Sequence, residues 1–388
     1  MTPQINAPHS PKDDDLSCDL LVVGAGAVGL WIARLAAKAG QSVIVLEKRS
    51  VGTGASGGLL GALMPHMPER WNPKKQFQFE ALSRLGDEVA SLEAETGLGC
   101  GYRRCGRLMP LIRPHHAQLG VERKVDAEKV WNSAKTGFEW TLLDAPYKKD
   151  WPSSAAMPHG LVLETLAARV SPRRYIGALK ASLGQQVTII ESDGLSRFEE
   201  DSGKAVTDLG RTITADHTIL AAGHETFTLL GDLLARPATQ FGAAIKGQAA
   251  LLRADIDDDL PLVFQDGVYI VPHEGGAVAI GSTSEAEFAS GSETDEKLEN
   301  LIARARELCP ELENATVLER WAGLRPKAIK RDPMIGAVPG HQRLTVATGG
   351  FKITFGIAHK MAACALELAT DGRCNSLPDS FRIETHLR

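Results

Sequence analysis

The sequence predicts an α/β fold with two hydrophobic cores. A chain of 388 residues is longer than a typical domain of about 100–150 residues, so two substantial cores are expected. The apolar run Leu20–Val23 is typical of a strand buried on both faces of a parallel sheet. A glycine-rich turn and an alanine-rich stretch follow it, which indicates a strand–turn–helix unit in the first domain.

Three glycines, Gly24, Gly26 and Gly29, directly follow this first strand. Gly24 permits a tight turn, Gly26 lets the backbone approach a pyrophosphate, and Gly29 lets helix and strand pack closely. A helix predicted over Leu30–Ala39 would direct its positive N-terminus at the phosphates. Two residues between the glycines complete the predicted contacts: Ala27 and Val28.

A second buried strand is predicted over Ser42–Leu46, and Glu47 follows it. Glu47 lies about twenty residues beyond the glycines, where a carboxylate accepts hydrogen bonds from an adenosine ribose. The adjacent Lys48 is placed in the same site. The complete unit therefore predicts a Rossmann-like dinucleotide-binding domain.

The motif alone does not distinguish NAD from FAD, but two later segments favour FAD. The loop Gly52–Gly58 offers backbone amides that can wrap a pyrophosphate and reach an isoalloxazine ring. A late strand, Thr218–Gly223, ends in small residues and predicts another close backbone approach. An NAD-dependent dehydrogenase remains the alternative. Further predicted FAD contacts are Ser56, Gly57, Gly58, Leu59, Leu195 and Gly223.

Charge and composition exclude several classes of protein. The net charge of −5 and the pI near 6.1 argue against nucleic-acid binding, which needs a basic face. Residues 1–16 lack the basic and apolar regions of a signal peptide, so a flexible tail and a cytoplasmic location are expected. The apolar stretch Leu20–Ala33 is too short and too glycine-rich for an integral membrane segment.

No metal site is predicted. Six cysteines are scattered through the chain without the two-residue spacing of zinc or redox motifs, so reduced thiols are expected. Cys100, Cys105, His115 and His116 could meet around a metal, but their spacing favours an ordinary loop.

Four blocks of sequence resemble the D-amino-acid oxidase family of FAD-dependent oxidoreductases, most closely its glycine oxidase members. They cover most of the chain: GAGAVG with Glu47, Gly54–Pro65, the pair Gly267–Thr283 and Trp321–Pro326, and Ala347–Ala358. The resemblance implies an FAD-binding domain of the glutathione-reductase type, assembled from residues 17–88, 152–235 and 322–388. It also implies a mainly antiparallel β substrate domain, formed by residues 89–151 and 236–321.

Local patterns agree with that implied second domain. Val268–Val271 and Ala277–Gly281 are predicted strands of a hairpin. Helices are predicted over Lys297–Leu308 and Ile357–Leu368, the latter starting beside the flavin.

The family resemblance also implies a substrate site. Arg325 matches an arginine that holds an amino acid carboxylate, and Tyr269 matches a tyrosine that donates to it. Lys352 stands near a position where glycine oxidases have arginine, and His273 likewise replaces an arginine. The loop around Lys352 supplies the remaining predicted flavin contacts: Gly350, Phe351, Lys352 itself, Ile353 and Gly356.

Oxidation of the C–N bond of a small amino acid or N-substituted amino acid is the activity that follows from this resemblance. Hydride would pass to flavin N5, and the resulting imine would hydrolyse to an oxo acid. Electrons would then pass to oxygen or, alternatively, to a quinone or carrier protein. A flavin-binding sensor without turnover is the non-enzymatic alternative, and a homo-oligomer is left open.

Overall fold

The structure, a computed structural model, describes residues 15–388. The predicted tail, residues 1–16, therefore lies mostly outside the described residues. Its last two residues, Asp15 and Leu16, instead begin the first strand, because they pair in parallel with Thr212 and Ile213.

The described chain contains both strands and helices. The strands are β1 Asp15–Val23, β2 Val43–Glu47, β3 Ala62–Leu63, β4 Arg107–Pro110, β5 Trp140–Leu143, β6 Leu161–Glu164, β7 Ala168–Arg169, β8 Val187–Glu191, β9 Leu195–Glu199, β10 Lys204–Thr207, β11 Thr212–Leu220, β12 Gly242–Arg253, β13 Leu262–Gln265, β14 Val268–His273, β15 Ala277–Gly281, β16 Thr316–Ala328, β17 Met334–Ala337 and β18 Leu344–Thr348. The α-helices are α1 Ala27–Lys38, α2 Pro73–Thr96, α3 Pro114–Val130, α4 Ser133–Thr136, α5 Pro172–Ala181, α6 Glu225–Leu234, α7 Glu296–Leu308, α8 Thr354–Asp371 and α9 Ile383–His386.

The first sheet has the order β17-β18-β11-β1-β2-β8, with β10 and β9 attached beside β11. Its central pairs are parallel. Leu20, Leu21 and Val22 are at most 1% exposed, which confirms the predicted buried strand. Helix α1 begins three residues before the predicted start, because Gly26 adopts extended backbone and serves as the N-cap.

The second sheet has the order β16-β12-β15-β14-β13-β4-β6-β5. Neighbouring strands are antiparallel except for β13 and β4. The predicted hairpin is confirmed as β14 and β15, although β14 extends to His273, which pairs with Ala277. The α/β fold with a second, mainly antiparallel β-sheet is therefore confirmed.

Both predicted C-terminal helices are present with longer bounds. Helix α7 starts after Asp295, whose carboxylate accepts a hydrogen bond from the Lys297 amide. Helix α8 extends past the predicted Leu368 to Asp371, where Gly372 adopts a left-handed conformation. Trp31 of α1 lies 5.9 Å from His359 of α8, ring centre to ring centre. This contact packs α8 against α1, the helix that follows the first strand of the first sheet.

The division into domains stays a proposal, and we place two of its boundaries differently. Strand β6 pairs with β4 and β5 of the second sheet, although the sequence analysis put Leu161–Glu164 in the first domain. Strand β16 likewise crosses the expected boundary at residue 322. We therefore propose that the second domain extends to Glu164 and to Ala328. Within residues 15–388, no helix has the length and hydropathy needed to span a bilayer.

Candidate active site

A cavity of about 580 Å³ lies between the two sheets. The segments that follow β1, β2, β11 and β18 form part of its lining, and β14 and β16 of the second sheet form another part. In α/β folds, ligands bind outside the carboxyl ends of the parallel strands. This cavity is therefore the candidate active site.

Most of the predicted cofactor-binding residues line this cavity. They are Gly24, Gly26, Ala27, Val28, Glu47, Lys48, Ser56, Gly58, Leu59, Leu195, Gly223, Gly350, Phe351, Lys352 and Ile353.

Three predicted contact residues, Gly29, Gly57 and Gly356, are not in the lining. A Cβ atom on Gly29 would lie 1.9 Å from the Gly24 carbonyl oxygen, and one on Gly57 would lie 2.7 Å from the Gly52 carbonyl oxygen. A Cβ on Gly356 would lie 2.8 Å from a methyl group of Leu82. These glycines permit close packing around the site and do not face the cavity.

The turn between β1 and α1 provides an open cradle of backbone. Gly24 has a φ of +108°, and a Cβ there would lie 2.6 Å from the Ala221 carbonyl oxygen. At the start of α1, the Ala27 amide donates to Ser56 Oγ at 3.0 Å. A side chain at position 24 or 26 would intrude between this helix N-terminus and its neighbours, whereas glycine leaves room for a pyrophosphate.

Glu47 is held firmly at the end of β2. Its two carboxylate oxygens accept hydrogen bonds from the Ala25 amide at 2.8 Å and the Arg49 amide at 3.0 Å. The side chain therefore lines the cavity in a fixed orientation. The glycine cradle and this carboxylate together fit the ADP half of FAD.

We expect the substitution Gly29→Ala to abolish FAD retention. The added methyl group would overlap the Gly24 carbonyl oxygen, which is main chain and cannot move without opening the turn. Flavin absorbance per mole of purified protein measures the effect. Gly184→Ala is the matched control, because a Cβ at Gly184 has nothing within 4 Å; full flavin content in the Gly29 variant would contradict the prediction.

Arg325 projects into the cavity from β16, where it pairs with Ile245 of β12. Its Nη1 donates to the Thr283 carbonyl oxygen at 3.1 Å. Burial lowers the pKa of Arg325 to about 10, although Tyr269 and Glu285 partly oppose the shift. Within residues 15–388, no carboxylate forms an ion pair with this guanidinium.

Tyr269 and Lys352 lie beside Arg325 in the same cavity. Lys352 Nζ is 5.6 Å from the centre of the Tyr269 ring and 5.9 Å from that of Phe351. Burial lowers the pKa of Lys352 to about 8, and the field of Arg325 adds to the shift. Burial raises the pKa of Tyr269, against the fields of Arg107 and Arg325. The fold thus brings together the three predicted substrate residues from separate segments.

Sequence reasoning missed several residues of this cavity. Arg107 and Glu164 form a fully buried ion pair at 3.0 Å, and Arg107 faces the cavity. Phe264 packs on Tyr269 with ring centres 4.7 Å apart. Trp321 could have been found, because it lies four residues before Arg325 on β16 and alternate strand residues share a face. No comparable sequence pattern marks Arg107, because its strand β4 has only four residues.

His66 and His273 occupy different environments. His66 lines the cavity, and its Nε2 is buried without a hydrogen-bond partner. Burial, reinforced by Lys74 and Lys75, lowers the pKa of His66 to about 4. His273 is instead next to the Leu60 carbonyl oxygen, 3.2 Å from its Nε2, and is not in the lining.

Comparison with known proteins identifies the family. The family model for DAO, FAD dependent oxidoreductase, matches residues 19–364. Glycine oxidase of Pseudomonas putida is 30% identical over 90% of this chain and 93% of its own length. Glycine oxidase of Pseudomonas aeruginosa is 30% identical over 89% of this chain and 93% of its own.

A solved structure agrees with this match. The crystal structure of glycine oxidase from Geobacillus kaustophilus superposes with a TM-score of 0.84 at 22% identity, covering 95% of this chain and 98% of the other. This similarity confirms the predicted fold class. Because the family model spans residues 19–364, the chain belongs to the DAO family of FAD-dependent oxidoreductases, and its predicted cofactor is confirmed as FAD.

Proposed function

We propose that this flavoenzyme oxidises the C–N bond of a small amino acid or N-substituted amino acid, of the glycine, sarcosine or D-amino-acid type. The observation that carries the proposal is the partly buried Arg325 guanidinium, which lines the cavity and has no ion-pair partner among the described residues. Similarity to two glycine oxidases over nine-tenths of their length supports the same chemistry.

Each residue is assigned a role from its position. Arg325 binds the substrate carboxylate through two parallel hydrogen bonds, which its planar guanidinium favours. The Tyr269 hydroxyl donates to the same carboxylate. Ala27, Ser56 and Glu47 hold the ADP half of the cofactor.

When bound, FAD would accept the substrate Cα hydrogen and two electrons at its N5 atom. The substrate then carries a C=N bond, and water hydrolyses this imine to an oxo acid and ammonia, or a shorter amine. The chain itself contributes position, since fixing reactants in a near-attack geometry supplies about 7–11 kcal/mol in favourable models.

An anaerobic bleaching screen tests the proposal. Purified holoenzyme is mixed with glycine, sarcosine, N-substituted glycines and both enantiomers of small amino acids. We expect one group of related substrates to bleach the flavin absorbance within seconds to minutes. Failure of every amine, in protein that a chemical reductant still bleaches, would leave a non-catalytic flavoprotein as the better explanation.

Oxygen is the electron acceptor that we propose, because two relatives that are 30% identical to this chain are named as glycine oxidases. Oxygen uptake that matches substrate consumption would support it. Turnover only with an added quinone or dye would instead indicate a dehydrogenase. A cytoplasmic location is also proposed, and the six free cysteines of the chain support it; a homo-oligomer remains a further proposal.

A further inference from the structure

We propose that the preferred substrate carries two carboxylates, of which Arg325 binds the first and Lys352 binds the second. This inference rests on the proposed function and specifies its substrate class as an amino dicarboxylic acid. The second carboxylate lies either on the nitrogen substituent or on the side chain, and the two sources share the same recognition chemistry.

Three cations line the part of the cavity that contains Tyr269: Arg107 is buried, Arg325 is partly buried, and Lys352 is exposed to the open cavity. Arg107 is neutralised by Glu164 at 3.0 Å. Neither Arg325 nor Lys352 forms an ion pair with any carboxylate of residues 15–388. Arg325 and Lys352 thus remain without an ion-pair partner among residues 15–388.

Glu285 is the nearest candidate to compensate Arg325, and its field does reach that residue. Its carboxylate is already engaged, however. One oxygen accepts from Lys297 Nζ at 2.7 Å and the other accepts from Gln248 Nε2 at 2.9 Å. Glu285 therefore offsets Lys297 and leaves the cavity charge in place.

One substrate carboxylate cannot balance both cations. Arg325 and Tyr269 suffice to hold one carboxylate, because a guanidinium fork engages both oxygens. Lys352 Nζ lies 5.6 Å and 5.9 Å from two ring centres, and no carboxylate of residues 15–388 pairs with it. A ligand that fills the cavity removes water from this ammonium group, and a desolvated charge without a partner is costly. A dicarboxylate with a neutral amine carries two negative charges, which matches the two free cations.

Matched substrate pairs test this inference. Iminodiacetate is compared with its monoamide, which tests a second carboxylate on nitrogen. Aspartate is compared with asparagine in both enantiomers, which tests one on the side chain. Each pair differs in charge and hardly in size. In at least one pair, we expect kcat/KM to be roughly 10- to 100-fold higher for the diacid, the worth of a hydrogen bond to a charged group.

Substitutions at Lys352 identify the residue responsible. In Lys352→Met, kcat/KM for the diacid divided by kcat/KM for the amide should fall to about 1. Lys352→Arg should retain a preference for the diacid, because the positive charge remains. We compare the ratio of the two kcat/KM values, because the substitution can also change each value by itself. Binding provides a readout without turnover: succinate should perturb the wild-type flavin spectrum at lower concentration than succinamate, and Lys352→Met should remove this difference.

The pH dependence of the ratio is a further check. The charged group whose field shifts Lys352 is Arg325, and the titratable ring beside it is that of Tyr269. Lys352 is protonated below its lowered pKa of about 8. The diacid preference should therefore be full below this pH and decline as the pH rises through it, and the ratio in Lys352→Met should be flat.

Two results would overturn the inference. Equal kcat/KM within every pair in the wild-type enzyme would show that no second carboxylate is recognised. Equal losses for diacid and amide in Lys352→Met would place Lys352 in support of the flavin instead. Both results leave the proposed function standing, whereas that function fails if glycine, sarcosine, D-alanine and all the paired compounds leave the flavin oxidised.

Discussion

Replacing Arg325 with alanine is expected to lower kcat/KM for the amino acid substrate by roughly 10²- to 10⁴-fold, the worth of two charge-assisted hydrogen bonds. The guanidinium lines the cavity and, among residues 15–388, donates only to the Thr283 carbonyl oxygen. Its remaining donors are therefore available to a ligand. FAD should stay bound, because the cradle around Gly24 and Glu47 belongs to the first sheet.

Rapid-mixing measurements of anaerobic flavin reduction across substrate concentrations measure this effect. Arg325→Lys should lose less than Arg325→Ala, because lysine keeps the charge but not the fork. Arg320→Ala is the matched control from the same strand, β16. Arg320 is half exposed and pairs with Glu299 at 2.7 Å, and exposed pairs contribute about 0–1 kcal/mol to stability. Turnover of Arg325→Ala at the wild-type rate would refute the assignment.

The first half of the site could be predicted because its residues are close in sequence. The cradle and Glu47 lie within one strand–helix–strand unit, and the spacing of the glycines reflects close backbone approaches that the structure confirms. A Cβ on Gly24 would meet the Ala221 carbonyl, and one on Gly29 would meet Gly24 itself. Such backbone requirements leave a direct trace in the sequence.

The substrate half depends on contacts between distant segments, so its environment could not be predicted. Arg107 reaches the cavity because β4 pairs in parallel with β13, opposite Leu262, and Glu164 then pairs with it across β6. Neither β4 nor β6 contains a sequence motif, because a buried ion pair requires only that two opposite charges lie close together in the fold. We propose a domain boundary after β6 instead of at residue 152 because of similar long-range pairing: β6 pairs with β4, whose residues lie more than fifty positions earlier, and with β5, about twenty positions earlier.

The substitution Gly247→Ala is expected to lower kcat/KM by about 100-fold, although Gly247 does not line the cavity, since a displacement of about 1 Å can cost this much. Gly247 lies on β12, two residues along from Ile245, which pairs with Arg325. A Cβ there would lie 1.8 Å from Arg325 Nη1 and 2.0 Å from Cζ. The Arg325 guanidinium therefore rests directly on the Gly247 backbone, and a methyl group would push it away from the substrate.

A double-mutant cycle separates this positioning role from general damage to β12. If Gly247 acts through Arg325, Gly247→Ala should add little to the loss already caused by Arg325→Ala, because the displaced side chain is gone. General damage would make the two losses multiply, which would refute the positioning role. Gly177→Ala is the control for adding a methyl group, since a Cβ there has nothing within 4 Å. The affinity for a simple carboxylate inhibitor should fall in parallel with kcat/KM in Gly247→Ala, because both depend on where the Arg325 guanidinium lies.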